Sequence, residues 1–166
     1  LIGKNGAGKT TLMRWAMGML APREGRVRVF EMDPQRHAVA VKRRVGYVAE
    51  DQILPGFLRV SQVLDLHRSL FPSWDDVLAE QLLRELELPL GGRVRTLSKG
   101  QARRLALLCA IAHRPDLLLL DEPASGLDPA ARREFLQTSI RLLNDTGTAI
   151  VFSSHYMTDI ERMADR

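Results

Sequence analysis

Gly3-Lys4-Asn5-Gly6-Ala7-Gly8-Lys9-Thr10 fits the pattern G-x-x-x-x-G-K-[ST], a loop that cradles phosphate groups when a strand precedes it and a helix follows. The helix is legible. From Thr10 to Leu20, apolar side chains recur at Leu12, Met13, Ala16, Met17 and Leu20, the spacing of one helical face. Only Leu1 and Ile2 stand where the strand is expected, so the chain reads as a fragment of a larger ATP-binding domain, truncated at both ends. Gly3, Gly6 and Gly8 admit backbone conformations that a Cβ resists. Successive N–H groups can then turn inward as an anion nest, with the positive end of the helix behind them. Lys9 offers a point charge to the β- and γ-phosphates and Thr10 a hydroxyl to Mg²⁺. Asn5, Ala7 and Thr11 complete the candidate nucleotide-binding set of the loop. A chance glycine-rich turn is the weaker explanation, because the flanking helix is also present.

The 166 residues suffice for one domain with a real core. A hydrophobic content of 45% and a charged content of 27% are ordinary for a globular protein. The longest apolar run, Leu117 to Leu120, is far too short to cross a bilayer. The single Cys109 excludes an intrachain disulfide or a cysteine zinc cluster; beside Leu105, Leu108 and Ala112 it reads as a small core residue. The net charge is +4, with basic groups at Lys42-Arg43-Arg44, Arg103-Arg104 and Arg132-Arg133. They are scattered and little interleaved with aromatics, so solvated helix faces are favoured and no nucleic-acid partner is expected.

Downstream of the first helix, Val27 and Val29 alternate with Arg26 and Arg28, which predicts a strand with one wet face. Pro34 to Arg43 reads as a short helix, Val45 to Ala49 as a strand, and Glu50 to Gly56 as a loop. Ser61 is the expected cap of a helix carrying Val63, Leu64, Leu66 and Leu70. Ser73 with Asp76 predicts the start of another, with Trp74, Leu78, Leu82 and Leu86 on one face. Ser98 and Gln101 form a capping box for a third. Leu117 to Leu120 is the continuously apolar strand of a parallel sheet. Asp128-Pro129 opens a further helix, Thr148 to Phe152 reads as a second buried strand, and Tyr156 to Asp165 begins a last helix. The fold class is therefore α/β: a parallel-sheet core over residues 1–51 and 113–166, interrupted by a helical subdomain over 52–112.

The apolar strand ends in two acids, Asp121-Glu122, followed by Pro123. The C-terminal edge of a parallel sheet is where nucleotides bind. There Asp121 can hold Mg²⁺ opposite Thr10, and Glu122 can take a proton from an attacking water. The small hydroxyl cap and glycine of Leu97-Ser98-Lys99-Gly100-Gln101 offer helix N-terminal donors to an anion, or simply cap their own helix.

These motifs, with Ser125-Gly126-Leu127-Asp128 and Ser153-Ser154-His155, stand in the order of an ABC-type ATPase. Across essentially the whole chain they resemble the nucleotide-binding subunit of an ABC transporter, a P-loop NTPase. The resemblance implies ATP and Mg²⁺ as ligands. It implies that Ser98, Gly100 and Gln101 contact the γ-phosphate of an ATP held by a second nucleotide-binding subunit, in a symmetric head-to-tail dimer. It also implies that Asp128 links the two sites, that His155 senses the γ-phosphate and positions water, and that Glu122, His155 and Lys9 are catalytic. An integral membrane permease subunit would be the other partner, with the chain bound peripherally at the cytoplasmic membrane face. Phe71-Pro72-Ser73-Trp74-Asp75 and Lys99 resemble bacterial exporter-type subunits. Two positions depart from the family pattern. Lys99 stands where Gly is usual and puts a cation beside the trans phosphate; Glu50 stands where Gln is usual, with Gln52 nearby. Glu50 is a third candidate metal ligand, and its added negative charge is expected to retune hydrolysis. Relatives that act on chromosomes carry long coiled coils, and no heptads run between Leu12 and Thr96. A soluble ribosome- or DNA-directed ATPase and a non-hydrolysing nucleotide switch are the alternatives.

Overall fold

The computed structural model describes residues 1–4, 6–51, 54–143 and 147–156. Three parallel strands form its sheet in the order β1-β2-β3: β1 (Val45–Val48), β2 (Leu117–Asp121) and β3 (Ala149–Ser153). Val45 faces Leu117, Leu117 faces Ala149 and Asp121 faces Ser153. Beyond β3, Ile2 bridges Ser154 in parallel, so the short segment before the glycine-rich loop enters alongside the sheet.

The run of leucines works because both faces of β2 are covered. Leu118 and Leu120 point into one cluster and Leu119 into the other, the alternation that a strand imposes. On the Leu119 face lie α1 (Lys9–Ala16) and α2 (Ala38–Arg44), contributing Met13 and Val41, with Met17 just past the end of α1. The opposite face meets α5 (Lys99–Ile111), around which α3 (Val60–Leu70), α4 (Asp76–Glu85) and α6 (Pro129–Leu143) gather. Leu105, Leu107, Leu108 and Ile111 are among the fully buried side chains, and α5 has no wet stripe over its last two turns. It approaches β1 so closely that a Cβ on Gly46 would stand 2.2 Å from the Ala110 carbonyl oxygen. Cys109 is buried, as expected, and burial pushes its thiol up to about 12.

Several expectations are corrected. Val27 to Val29 forms no strand; only an isolated antiparallel bridge joins Val29 to Met32, across Phe30 and Glu31 at φ 53° and 61°. Val29, Phe30 and Met32 pack instead, partly buried, on the cluster of α1 and α2. The first helix stops at Ala16 rather than Leu20, because Gly18 adopts φ 65° and the Met19 amide turns back to the Arg14 carbonyl. The second starts at Ala38; Asp33 Oδ1 accepts from the Gln35 and Arg36 amides and holds residues 34–37 in a turn.

Ser61 does not cap α3. The Val60 and Ser61 amides donate to the Gly92 and Leu90 carbonyls, and Gln62 Oε1 accepts from the Arg59 amide at 2.9 Å. Nor does Ser73 cap α4. Asp75 does, accepting from the Leu78 amide at 2.9 Å, while Ser73 Oγ donates to the His113 carbonyl. The Leu78 amide, and then Arg114 at 2.7 Å, hold the Asp75 carboxyl below its usual range. The capping box of α5 forms as read, at 3.1 Å from Gln101 N to Ser98 Oγ and 3.0 Å from Ser98 N to Gln101 Oε1. β3 is buried only at Phe152 and Ser153; Ala149 and Ile150 are exposed. The last helix expected, over Tyr156 to Asp165, lies outside the described residues beyond Tyr156.

His113 closes the end of α5, 1% exposed and stacked on Phe71 at 4.1 Å between centroids. Burial lowers its pKa from 6.5, opposed in part by the neighbouring backbone of Cys109 and Val45. Above pH 6.5 the ring is neutral in both the folded and unfolded chain. Below it, the unfolded chain binds a proton that the folded one resists. Stability therefore falls as the pH drops below 6.5, and His113→Phe should flatten part of that acid-side slope in urea unfolding measured from pH 7.5 to 5.

Candidate functional site

The glycine-rich loop curls over the N-terminus of α1. Gly6 and Gly8 adopt φ 83° and 86°, a left-handed conformation that only glycine enters without strain. Gly8 is itself the N-cap and brings no side chain, leaving the first amides of α1 without a side-chain cap. Together with Lys9, Thr10 and Thr11 these residues wall an open groove of about 380 Å³, whose far side is Glu50 and Glu122. Ala7 lies in the same wall and its amide donates back to Lys4; Gly3 supplies a carbonyl to Lys9, while Asn5 lies outside the described residues.

Lys9 folds back into the loop, with Nζ donating to the Gly3 carbonyl at 2.6 Å and standing 3.3 Å from Glu122 Oε1. The two side chains are 8% and 6% exposed, so this pair is shielded from solvent. On the other side, His155 Nδ1 lies 2.8 Å from Glu122 Oε2. Both oxygens of this carboxylate thus face a cationic or cationisable group. Glu122 also sits at φ 45°, unusual for a residue with a Cβ and a feature that gathers at functional sites.

One hydroxyl organises the acids. Ser153 Oγ donates to Asp121 Oδ1 at 2.7 Å and accepts from the Glu122 amide at 3.0 Å. Asp121 is fully buried, and its second oxygen, Oδ2, has no partner. A buried carboxylate oxygen left over in this way is what a hard cation would take up. Its charge also helps burial raise the Tyr47 phenol. Glu50 reaches the groove from just beyond β1, and its Oε1 accepts from Ser125 Oγ at 3.3 Å.

The groove therefore brings together Lys9, Thr10, Thr11, Glu50 and Glu122, with His155 joined to it through Glu122 and Asp121 through Ser153. It leaves Ser98, Gly100, Gln101 and Asp128 outside. Ser98 and Asp128 are exposed; Asp128 Oδ1 accepts from the Ala130 and Ala131 amides at the start of α6, both at 3.0 Å. Gln52 lies outside the described residues. Sequence reasoning assigned no role to Ser153, whose signal is its register opposite Asp121.

Residues 1–125 match the family model described as ABC transporter. The chain belongs to the ABC transporter family. It is 38% identical over 176 aligned residues to a molybdenum import ATP-binding protein of Brucella melitensis, covering 100% of this chain and 48% of that protein. It is 37% identical over 171 residues to a daunorubicin resistance ATP-binding protein of Streptomyces coeruleorubidus, covering 100% and 54%. A solved ATP-binding subunit of an ABC transporter superposes with TM-score 0.82 at 28% identity, over 99% of this chain and 70% of that one. This ABC chain spans about half the length of the two curated relatives. Its P-loop NTPase core is the parallel sheet described above, and ATP binding is the property of the family.

Ser153→Ala should leave the Asp121 oxygen and the Glu122 amide unpaired in a buried setting, at a cost of about 1–3 kcal/mol in urea unfolding.

Proposed function

We propose that this chain carries the nucleotide site of an ATPase subunit that powers transport of a substrate across a membrane. The observation that carries this reading is the buried Glu122 carboxylate, set between Lys9 and His155 at the mouth of the glycine-rich groove. A carboxylate there can accept the proton of a water attacking the γ-phosphate, while Lys9 and the loop amides hold the transferring group. Lys9 now contacts Glu122; phosphate oxygens would compete for its ammonium and free the carboxylate to act as base. His155 would hold the water in line. Asp121 through Oδ2, Thr10 and Glu50 would hold Mg²⁺, which when bound neutralises phosphate charge.

Ser98, Gly100 and Gln101, outside this groove, would complete the site of a second copy or a paralogous subunit, and Asp128 would lie between the two sites. The exposure of Ser98 and Asp128 supports this reading, since both are available to a partner. Residues 52–112 would form the arm that meets an integral membrane permease, together with the segment from Glu50 to Gly56. Phe57, 75% exposed, and Val77 offer apolar contact there. No helix among the described residues is long and apolar enough to cross a membrane. The chain would sit peripherally on its cytoplasmic face.

Glu122→Gln in the full-length protein should cut ATP turnover by about 10²-fold or more while ATP binding persists, measured by phosphate release and by equilibrium binding. Ser98→Arg should abolish turnover at high protein concentration without weakening ATP binding to isolated subunits. Co-purification from salt-washed native membranes should recover a polytopic protein in stoichiometric amount; recovery with ribosomes or DNA instead would sink the transport reading.

A further inference from the structure

Arg103 lies on α5, one turn beyond its Ser98 cap, and its guanidinium crosses to the chain that leaves β1. Nη1 donates to the Ala49 carbonyl at 2.7 Å and Nη2 donates to the Glu50 carbonyl. A planar fork with a fixed N–H geometry can engage two successive carbonyls at once, and its charge strengthens both bonds. The side chain is half-buried, and the acids of Asp51 and Glu50 favour its charged form against that burial. Glu50 is thus held twice: at its main chain by α5, and at its carboxylate by Ser125 in the loop after Asp121-Glu122. That carboxylate lines the phosphate groove. The other side of the same contact is a separate hollow lined by Glu50, Asp51, Lys99, Arg103 and Ser125.

We propose that Arg103 is a positioning residue for hydrolysis, fixing Glu50 against the phosphate groove and tying the place of that carboxylate to the place of α5. This rests on the ATPase reading above. A shift of α5 pulls on two carbonyls of the Glu50 segment directly, without passing through the sheet. The basic pair Arg103-Arg104 accordingly divides its work: Arg104 reaches the exposed Glu134 at 2.6 Å on α6, whereas Arg103 turns inward to the nucleotide site.

The test uses the full-length protein with Mg-ATP, comparing wild type, Arg103→Ala and Arg103→Lys. Turnover per nucleotide-binding site should fall about tenfold in Arg103→Ala, as small displacements of a positioned group do, with KM for ATP within about twofold. Arg103→Lys, which keeps a charged donor, should recover part of the loss. Amide exchange at residues 48–51 should slow on ATP binding in wild type and not in Arg103→Ala. Equal turnover in wild type and Arg103→Ala, or equal loss in Arg103→Lys and Arg103→Ala together with unchanged exchange, would overturn the proposal. A wild type that binds ATP without turning it over would instead remove the ATPase reading. Arg103 is then judged on exchange alone: ATP-dependent protection lost in Arg103→Ala supports it, and identical protection in both rejects it.

Discussion

The structure depends on β2 being a central parallel strand with both faces covered. Parallel pairing on each side fixes one register, and that register sets Asp121 opposite Ser153 and, one step on, sends Glu122 out over the sheet edge toward Lys9. Slip either ladder by one residue and Leu119 would exchange faces with Leu118 and Leu120, destroying both clusters together with the acid pair. The site is therefore a consequence of core packing, because one run, Leu118 to Glu122, supplies both the core leucines and the acid pair.

Two neighbouring acids buried at one strand end require compensation, since like charges in a shielded setting repel. The fold supplies it from three directions: a hydroxyl from β3, an ammonium from α1, and an imidazole from the chain beyond β3. None of these donors is adjacent in sequence to the acids they serve. The cost of assembling them includes the left-handed backbone at Glu122, held in place by the hydrogen bond of its amide to Ser153.

What was legible in the chain was what local physics decides. Glycine spacing marked the loop, a continuous apolar run marked β2, and Ser98 with Gln101 marked the start of α5, because each signal lies within a few residues of its effect. Caps settled by distant partners were misread. Val60 and Ser61 find carbonyls at Gly92 and Leu90, which no local pattern around Ser61 discloses. Ser73 was outcompeted by Asp75, whose carboxylate both caps α4 and pairs with Arg114. Of Val27 and Val29, both only partly buried, Val29 alone packs on the cluster of α1 and α2, and no strand pairs with the segment among the described residues. In the site, Lys9, Asp121 and Glu122 were readable from type and order. The bridging of Ser153 and the reach of Arg103 needed the register of β2 against β3 and the close seat of α5 on β1.

Cys109 sits in the last turn of α5, within its fully buried stretch, with its thiol held far from ionisation. Because only the thiolate attacks alkylating and disulfide-forming reagents, this sulfur is chemically silent while the fold is intact. A cysteine introduced at the exposed Phe57 could carry a spectroscopic label without first removing Cys109, so that distance changes toward a partner can be followed. The same thiol becomes reactive once α5 lifts from β1, which makes its alkylation rate a clock for opening of the core.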